Sequence, residues 1–182
     1  MTVISMLRAV NLAKHNRISM DALRGIYEDL GFRDVRTYVQ SGNVVFQTSA
    51  KDLARMAKRI EDAIEAKFKF RPAVILRTPE EMKAVVARNP FAGRKGIEPA
   101  RLAVFFLACT PDGATRQKLE SLETAPEELR VGERELFIYY PNGMARPKLP
   151  IAKLERILSM PSTARNWNTV TNLIELATEL RS

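Results

Sequence analysis

The chain has 182 residues, of which 46% are hydrophobic and 27% charged, a composition typical of a globular protein and not of a disordered one. Its longest apolar run, residues 102–109, is too short to span a bilayer, and the amino terminus has no signal-peptide pattern. Cys109 is the only cysteine, so an internal disulfide is excluded, and its apolar neighbours predict a buried thiol. These features favour a cytoplasmic protein without a membrane partner.

The net charge of +8 indicates that an anionic partner has to be considered. Residues 1–77 contain 14 lysines and arginines against 8 acidic residues, whereas residues 78–182 contain 15 against 13. Two interpretations remain open: an anion-attracting face on the first half, or a solvated basic surface. No dense basic run or aromatic-interleaved basic motif of the RNA-binding type decides between them.

Residues 1–77 contain a first series of elements. Strands are predicted at 2–8, 35–40, 44–47 and 73–77. A helix capped by Ser19 ends at Gly31, and a second helix at 53–68 has a continuous apolar face. Ser41, Gly42 and Asn43 form the turn between the two middle strands. The resulting order, β-α-β-β-α-β, is the ferredoxin-like pattern.

Residues 78–99 are predicted to form a connecting helix and an exposed basic loop, since Thr78-Pro79-Glu80-Glu81 is a capping box with proline at the first helical position. A second series follows in residues 100–182. Its strands are predicted at 101–109, 128–133, 136–140 and 163–167, and its helices at 113–122, 150–158 and 169–180. The predicted fold class is therefore α+β: two successive ferredoxin-like (βαββαβ) halves with antiparallel sheets, plus a connecting helix and a C-terminal helix.

Metal and cofactor chemistry have little support in the sequence. With one histidine, one cysteine and no spaced carboxylate cluster, no metal site is predicted. No phosphate-binding loop or dinucleotide fingerprint is present, so no cofactor is predicted. His15 lies in a polar loop and is interpreted as a surface residue, and Cys109 as a core residue rather than a nucleophile.

Four polar clusters lie where predicted strands or helices end. They are Arg8-Ala9-Val10-Asn11, Gln40-Ser41-Gly42-Asn43, Asn89-Pro90-Phe91 and Arg165-Asn166-Trp167-Asn168-Thr169. Each has a local explanation: an ion pair, hairpin turn chemistry, the end of a helix, or a cap by Asn168 or Thr169 beside a buried Trp167. Their recurrence at strand ends also fits a functional site.

These motifs, with their flanking residues 6–11, 38–46, 89–91 and 163–170, resemble the bacterial family catalogued as domain of unknown function 1697. The resemblance covers nearly the whole chain and implies an α+β fold with ferredoxin-like elements, but no activity. It places the family's recurring polar positions on Arg8, Asn11, Gln40, Ser41, Gly42, Asn43, Arg165, Asn166 and Asn168. The family often has adjacent glycines after the asparagine of the first loop. Here that loop reads Asn11-Leu12-Ala13-Lys14-His15-Asn16, which argues against a glycine cradle for phosphate.

Two functional hypotheses follow. The first is a binding protein whose arginines and amides contact an anionic or polar ligand, with nucleic acid among the candidates. We further expect these side chains to converge on one surface. The alternative is an enzyme acting on a small polar substrate without metal, with Ser41 as the one cluster hydroxyl placed for a nucleophile, although the sequence offers it no evident base partner. A stand-alone structural protein is the third possibility. The sequence does not decide whether the protein is an enzyme, and it does not indicate an oligomeric state.

Overall fold

The computed structural model describes residues 1–11 and 16–180, so the interpretation of His15 concerns a residue outside the described part. The strands of the described residues are β1 (Thr2–Leu7), β2 (Arg33–Tyr38), β3 (Asn43–Gln47), β4 (Val74–Arg77), β5 (Leu102–Leu107), β6 (Glu128–Val131), β7 (Glu135–Tyr139) and β8 (Ser162–Asn166). The helices are α1 (Met20–Asp29), α2 (Leu53–Phe68), α3 (Pro79–Ala87), α4 (Gly113–Glu120), α5 (Ile151–Leu158) and α6 (Trp167–Glu179).

The strands form two four-stranded antiparallel sheets of the same topology. Their orders are β2-β3-β1-β4 and β6-β7-β5-β8. In each sheet the first strand of the series lies between the third and the fourth, as the ferredoxin-like order of elements requires. The predicted α+β fold with two ferredoxin-like halves is therefore confirmed. The chain divides into two compact units, Met1–Ala84 with Thr171–Ser182, and Val85–Val170.

In the first unit, α1 and α2 cover one face of the sheet. Leu23, Tyr27, Ile60 and Ile64 pack there against strand residues such as Phe46 in one buried cluster. The apolar positions of α2 recur at helical spacing, which is why this helix was predictable from sequence. The caps also follow prediction, because Ser19 Oγ accepts a hydrogen bond from the amide of Ala22 at 3.2 Å.

The end of α6 belongs to the first unit and lies over the opposite face of its sheet. Asn172 Nδ2 donates to Tyr38 Oη at 2.6 Å, and Arg36 pairs with Glu179 at 3.1 Å. Tyr38 and Arg36 lie beside Asn43 and Val45 in the β2–β3 register, on the face that alternation directs away from α1 and α2.

In the second unit, α4 and α5 cover one face of the sheet. Leu119 and Leu154 pack with Phe105, Leu136 and Ile138 in a second buried cluster. Thr78 and Glu81, ahead of this unit, form the predicted capping box: Thr78 N donates to Glu81 Oε2 at 2.7 Å, and Glu81 N donates to Thr78 Oγ1 at 3.2 Å. No helix in the described part of the chain is long and apolar enough to cross a membrane.

Three local predictions were wrong. Cys109 is exposed, because β5 ends at Leu107 and the thiol lies in the following turn. Trp167 is only partly buried, because it is the first residue of α6 rather than the last of a core strand. The residue that caps α6 is Asn166, whose Oδ1 accepts the amide of Asn168 at 2.9 Å, and not Asn168 or Thr169.

Candidate functional site

The first two polar clusters meet in the first unit. Residues 8–11 follow β1, and residues 39–42 form the turn between β2 and β3; together we call them the loop pair. Asn11 Nδ2 donates to the carbonyl of Gln40 at 2.9 Å. The amide of Leu7 donates to the carbonyl of Gly42 at 2.9 Å. These two bonds hold the loops side by side at the carboxyl end of β1.

The side chains of Asn11 and Asn43 stabilise the backbone of the loop pair by hydrogen bonds. The Asn11 side chain donates to the carbonyl of Ile18 at 2.8 Å and accepts the amide of the same residue at 2.8 Å. Asn43 is fully buried, and its Nδ2 donates to Ser41 Oγ at 2.8 Å and to the carbonyl of Tyr38 at 3.2 Å. Both amides therefore fix the backbone, as amides commonly do in turns.

The backbone of the loop pair is strained. Ala9, Asn11 and Val39 have φ angles of 55°, 57° and 48°. Asparagine tolerates the left-handed region, but alanine and especially β-branched valine rarely adopt it. Val39 is also 51% exposed, so burial of its side chain does not offset the strain. Strain of this kind is concentrated at functional sites in proteins.

Several polar side chains of the loop pair reach solvent. Gln40 is exposed, and Arg8 and Ser41 are partly exposed. The backbone amide of Arg8 donates to the carbonyl of Ala73 at 2.9 Å, so this residue of the loop pair is anchored to the residue that precedes β4. Gly42 cannot be replaced without disturbance, because a Cβ there would lie 2.9 Å from Leu7 Cβ.

The last polar cluster lies in the second unit, on β8 and the start of α6. Arg165 is 7% exposed. Its Nη1 donates to Thr163 Oγ1 at 2.8 Å and to the carbonyl of Ala164 at 2.7 Å. Burial lowers the pKa of Arg165 to about 10, so the guanidinium stays charged at neutral pH. Asn166 Nδ2 donates to the carbonyl of Ala100 at 2.8 Å. The Arg165 side chain thus bonds within β8, and Asn166 joins β8 to the segment that precedes β5.

The second unit also contains a groove of about 730 Å³, which sequence reasoning did not identify. Pro90 of the third polar cluster lines it, together with Leu129 and Phe137. Asn89 Oδ1 accepts the amide of Phe91 at 3.0 Å, so this asparagine shapes the turn that ends the helix. Phe91 is buried and packs 5.9 Å from the ring of Tyr139.

Arginines at this groove are matched by carboxylates. Arg88 lies 3.1 Å from Glu135 and 3.6 Å from Glu133, and Arg116 lies 3.8 Å from Glu120. The groove is therefore polar but close to electrically balanced. Among the described residues, no group of three or more His, Cys, Asp or Glu side chains could hold a metal ion.

The fold resembles that of a protein of known structure. The chain is similar to the structure of conserved bacterial protein SP0830 from Streptococcus pneumoniae, with a TM-score of 0.75 and 23% sequence identity over 97% of this chain and 98% of that one. No curated protein matches the chain. The family described as "Protein of unknown function (DUF1697)" matches residues 1–137, which include the loop pair, the third polar cluster and the β2–β3 hairpin. The chain therefore belongs to the DUF1697 family.

Proposed function

We propose that the protein binds an anionic or polar ligand at the loop pair, with Arg8 as the charged contact. The observation that carries the proposal is the hydrogen bond from Asn11 Nδ2 to the carbonyl of Gln40. Because it fixes two strained polar loops against each other, Arg8 and Gln40 are presented from neighbouring, preorganised backbone segments. Preorganisation lowers the entropic cost of binding.

The chemistry of these side chains favours an anion. A guanidinium offers five N–H donors in a planar fork that matches phosphate or carboxylate oxygens. The amide of Gln40 and the hydroxyl of Ser41 can each donate or accept, so they would contact neutral polar groups of the ligand. Asn11 and Asn43 support the site and do not themselves contact the ligand.

The residues of β8 are not part of this site in our proposal. Arg165 is buried, and Asn166 both bonds the carbonyl of Ala100 and caps α6. These contacts explain the polar residues of that segment by strand and helix structure. The ligand site proposed here is therefore smaller than the set of residues that the sequence indicated.

The enzyme hypothesis gains no support from the geometry of Ser41. Its hydroxyl accepts a hydrogen bond from Asn43 Nδ2 at 2.8 Å. An amide donor does not remove the proton of a hydroxyl, which a serine nucleophile requires. We propose a binding protein, located in the cytosol, where an exposed thiol such as Cys109 remains reduced.

Isothermal titration calorimetry with inorganic phosphate and with a nucleoside monophosphate tests the proposal. We expect Arg8→Gln to weaken binding roughly 10–100-fold, since hydrogen bonds to charged groups contribute about 1.5–3 kcal/mol. Arg24→Gln is the matched control, because Arg24 is an exposed arginine already paired with Asp21 at 3.0 Å. Circular dichroism would verify that both variants fold.

Two results would overturn the proposal. One is the absence of binding by the unaltered protein to either probe. The other is an equal loss of affinity in both variants, which would indicate a response to net charge alone. A salt series with an oligonucleotide separates nucleic acid from a small ligand, because contacts to several phosphates give a steep dependence on salt.

A further inference from the structure

A second cationic feature lies on α2 and the residue pair that precedes it. Lys51, Arg55 and Arg59 are all exposed and are spaced four residues apart; we call them the cationic row. Arg55 and Arg59 lie about one turn apart on the same side of α2, and Lys51, which precedes the helix, lines the same groove as both of them. The row follows the end of β3, whereas the loop pair precedes its start, so the two features lie at opposite ends of the first sheet.

The cationic row is not neutralised by the protein. Within residues 1–11 and 16–180, no carboxylate lies within 4.0 Å of the side-chain nitrogens of Lys51, Arg55 or Arg59. On the same helix, by contrast, Lys58 lies 2.9 Å from Asp62. Helix α2 thus has an uncompensated basic side next to compensated positions.

The acidic residue that lines the groove beside the row, Asp52, caps helix α2. Asp52 Oδ1 accepts the amide of Arg55 at 2.9 Å and caps the helix. The amino terminus of α2 is therefore already capped. An anion at this site would be bound by the three cationic side chains and not by the helix terminus. Arg59 is partly fixed, because its Nη2 donates to the carbonyl of Leu30 at 3.2 Å and its guanidinium lies 6.0 Å from the centre of the Phe32 ring.

The space beside the row is small. Lys51, Arg55 and Arg59 line a groove of about 230 Å³ together with Asp52 and the buried side chain of Met56. Pockets for small molecules usually measure about 300–1,000 Å³. The groove therefore suits single charged groups that project from a larger ligand rather than a whole small molecule.

We propose that the cationic row docks the phosphodiester backbone of a nucleic acid. Three neighbouring cations with no carboxylate partner among the described residues fit a ligand whose negative charges repeat along its length, as phosphates do. The whole chain, with a net charge of +8 and a pI of about 9.9, has the charge balance expected for such binding. Contact is independent of base sequence, because Phe32, the aromatic ring that the Arg59 guanidinium contacts, is buried and cannot stack with bases.

A membrane surface fits the row less well. Interfacial helices insert large apolar side chains beside their basic residues. In α2 the corresponding side chains, Met56, Ile60 and Ile64, are buried in the core of the first unit. No apolar side of this helix is left to enter a bilayer.

The test uses fluorescence anisotropy with a labelled single-stranded oligothymidine over about 50–200 mM salt. Three phosphate contacts predict a slope of log affinity against log salt of about −2 for a single strand. Replacing Lys51→Gln together with Arg55→Gln should reduce the slope by roughly 1.4 and weaken binding at low salt. The double control Arg24→Gln with Lys58→Gln removes the same charge from paired, exposed positions of the same unit.

An unaltered slope in the control, with a slope smaller by roughly 1.4 in the row variant, would support the proposal. Equal losses in both variants, no binding at low salt, or binding only to vesicles of anionic lipid would each overturn it. The proposal does not depend on the loop pair. A loss of oligothymidine binding in Arg8→Gln alone would refute the cationic row as the docking site, while leaving the proposed ligand site in place.

Discussion

Gly42→Ala is the substitution that probes the loop pair most sharply. Gly42 has a φ of 72°, and a Cβ at this position would lie 2.9 Å from Leu7 Cβ and 3.3 Å from Val10 Cβ. Leu7 and Val10 are buried, so neither can move aside freely. The left-handed backbone costs an alanine about 1–2 kcal/mol, and overpacking typically costs about 1–3 kcal/mol more. We therefore expect the free energy of unfolding to fall by roughly 2–5 kcal/mol.

Gly31→Ala separates the two contributions. Gly31 has a φ of 83°, but a Cβ there would meet nothing within 4 Å. It should cost only the backbone strain of about 1–2 kcal/mol. Urea denaturation of both variants, with comparison of their slopes against denaturant, measures the difference. Equal destabilisation by Gly31→Ala and Gly42→Ala would refute the close approach of the two loops.

Three further predictions concern charge and pH. Burial raises the pKa of Tyr140 to about 12 and raises that of Tyr27 as well. The free energy of unfolding should therefore be retained below about pH 10 and decline as the pH rises towards 12. A titration followed by tyrosinate absorbance should show both residues ionising at a higher pH than free tyrosine. Arg165→Ala should lower the free energy of unfolding by about 1–3 kcal/mol, because buried hydrogen-bond partners lose their donor; an unchanged urea midpoint would contradict this. The hydrogen bond from Arg94 lowers the pKa of Glu128, so this pair stabilises the fold at neutral pH and is lost as the pH falls through the acidic range. Arg94→Gln should flatten that acid dependence in urea titrations at several pH values.

The parts of the fold that were predictable depend on local signals. The apolar spacing of α2 gave its bounds, and the Thr78–Glu81 capping box identified the start of α3. The βαββαβ order of elements sufficed for the sheet topology, because short hairpins require antiparallel neighbours. The prediction that Cys109 is buried was wrong, because apolar neighbours in the sequence do not show where a strand ends.

Features that depend on distant residues were not predictable. The return of α6 to the first sheet depends on contacts such as Asn172 with Tyr38, which are 134 residues apart. The sequence indicated Arg165 and Arg8 as equivalent candidates, yet Arg165 is buried and Arg8 is not. Likewise, the sequence shows many cations on α2, but only the structure distinguishes Lys58, which pairs with Asp62, from Arg55, which has no carboxylate partner among the described residues.

Ligand binding at the loop pair is tested most directly by NMR. The ¹⁵N-labelled protein is titrated with inorganic phosphate and with a nucleoside monophosphate, and the amide chemical shifts are measured at each step. We expect saturable shifts at Arg8, Asn11, Gln40 and Ser41, and their loss in Arg8→Gln. Saturable shifts confined to the groove beside Arg88 and Arg116, or no shifts at either loop, would contradict it.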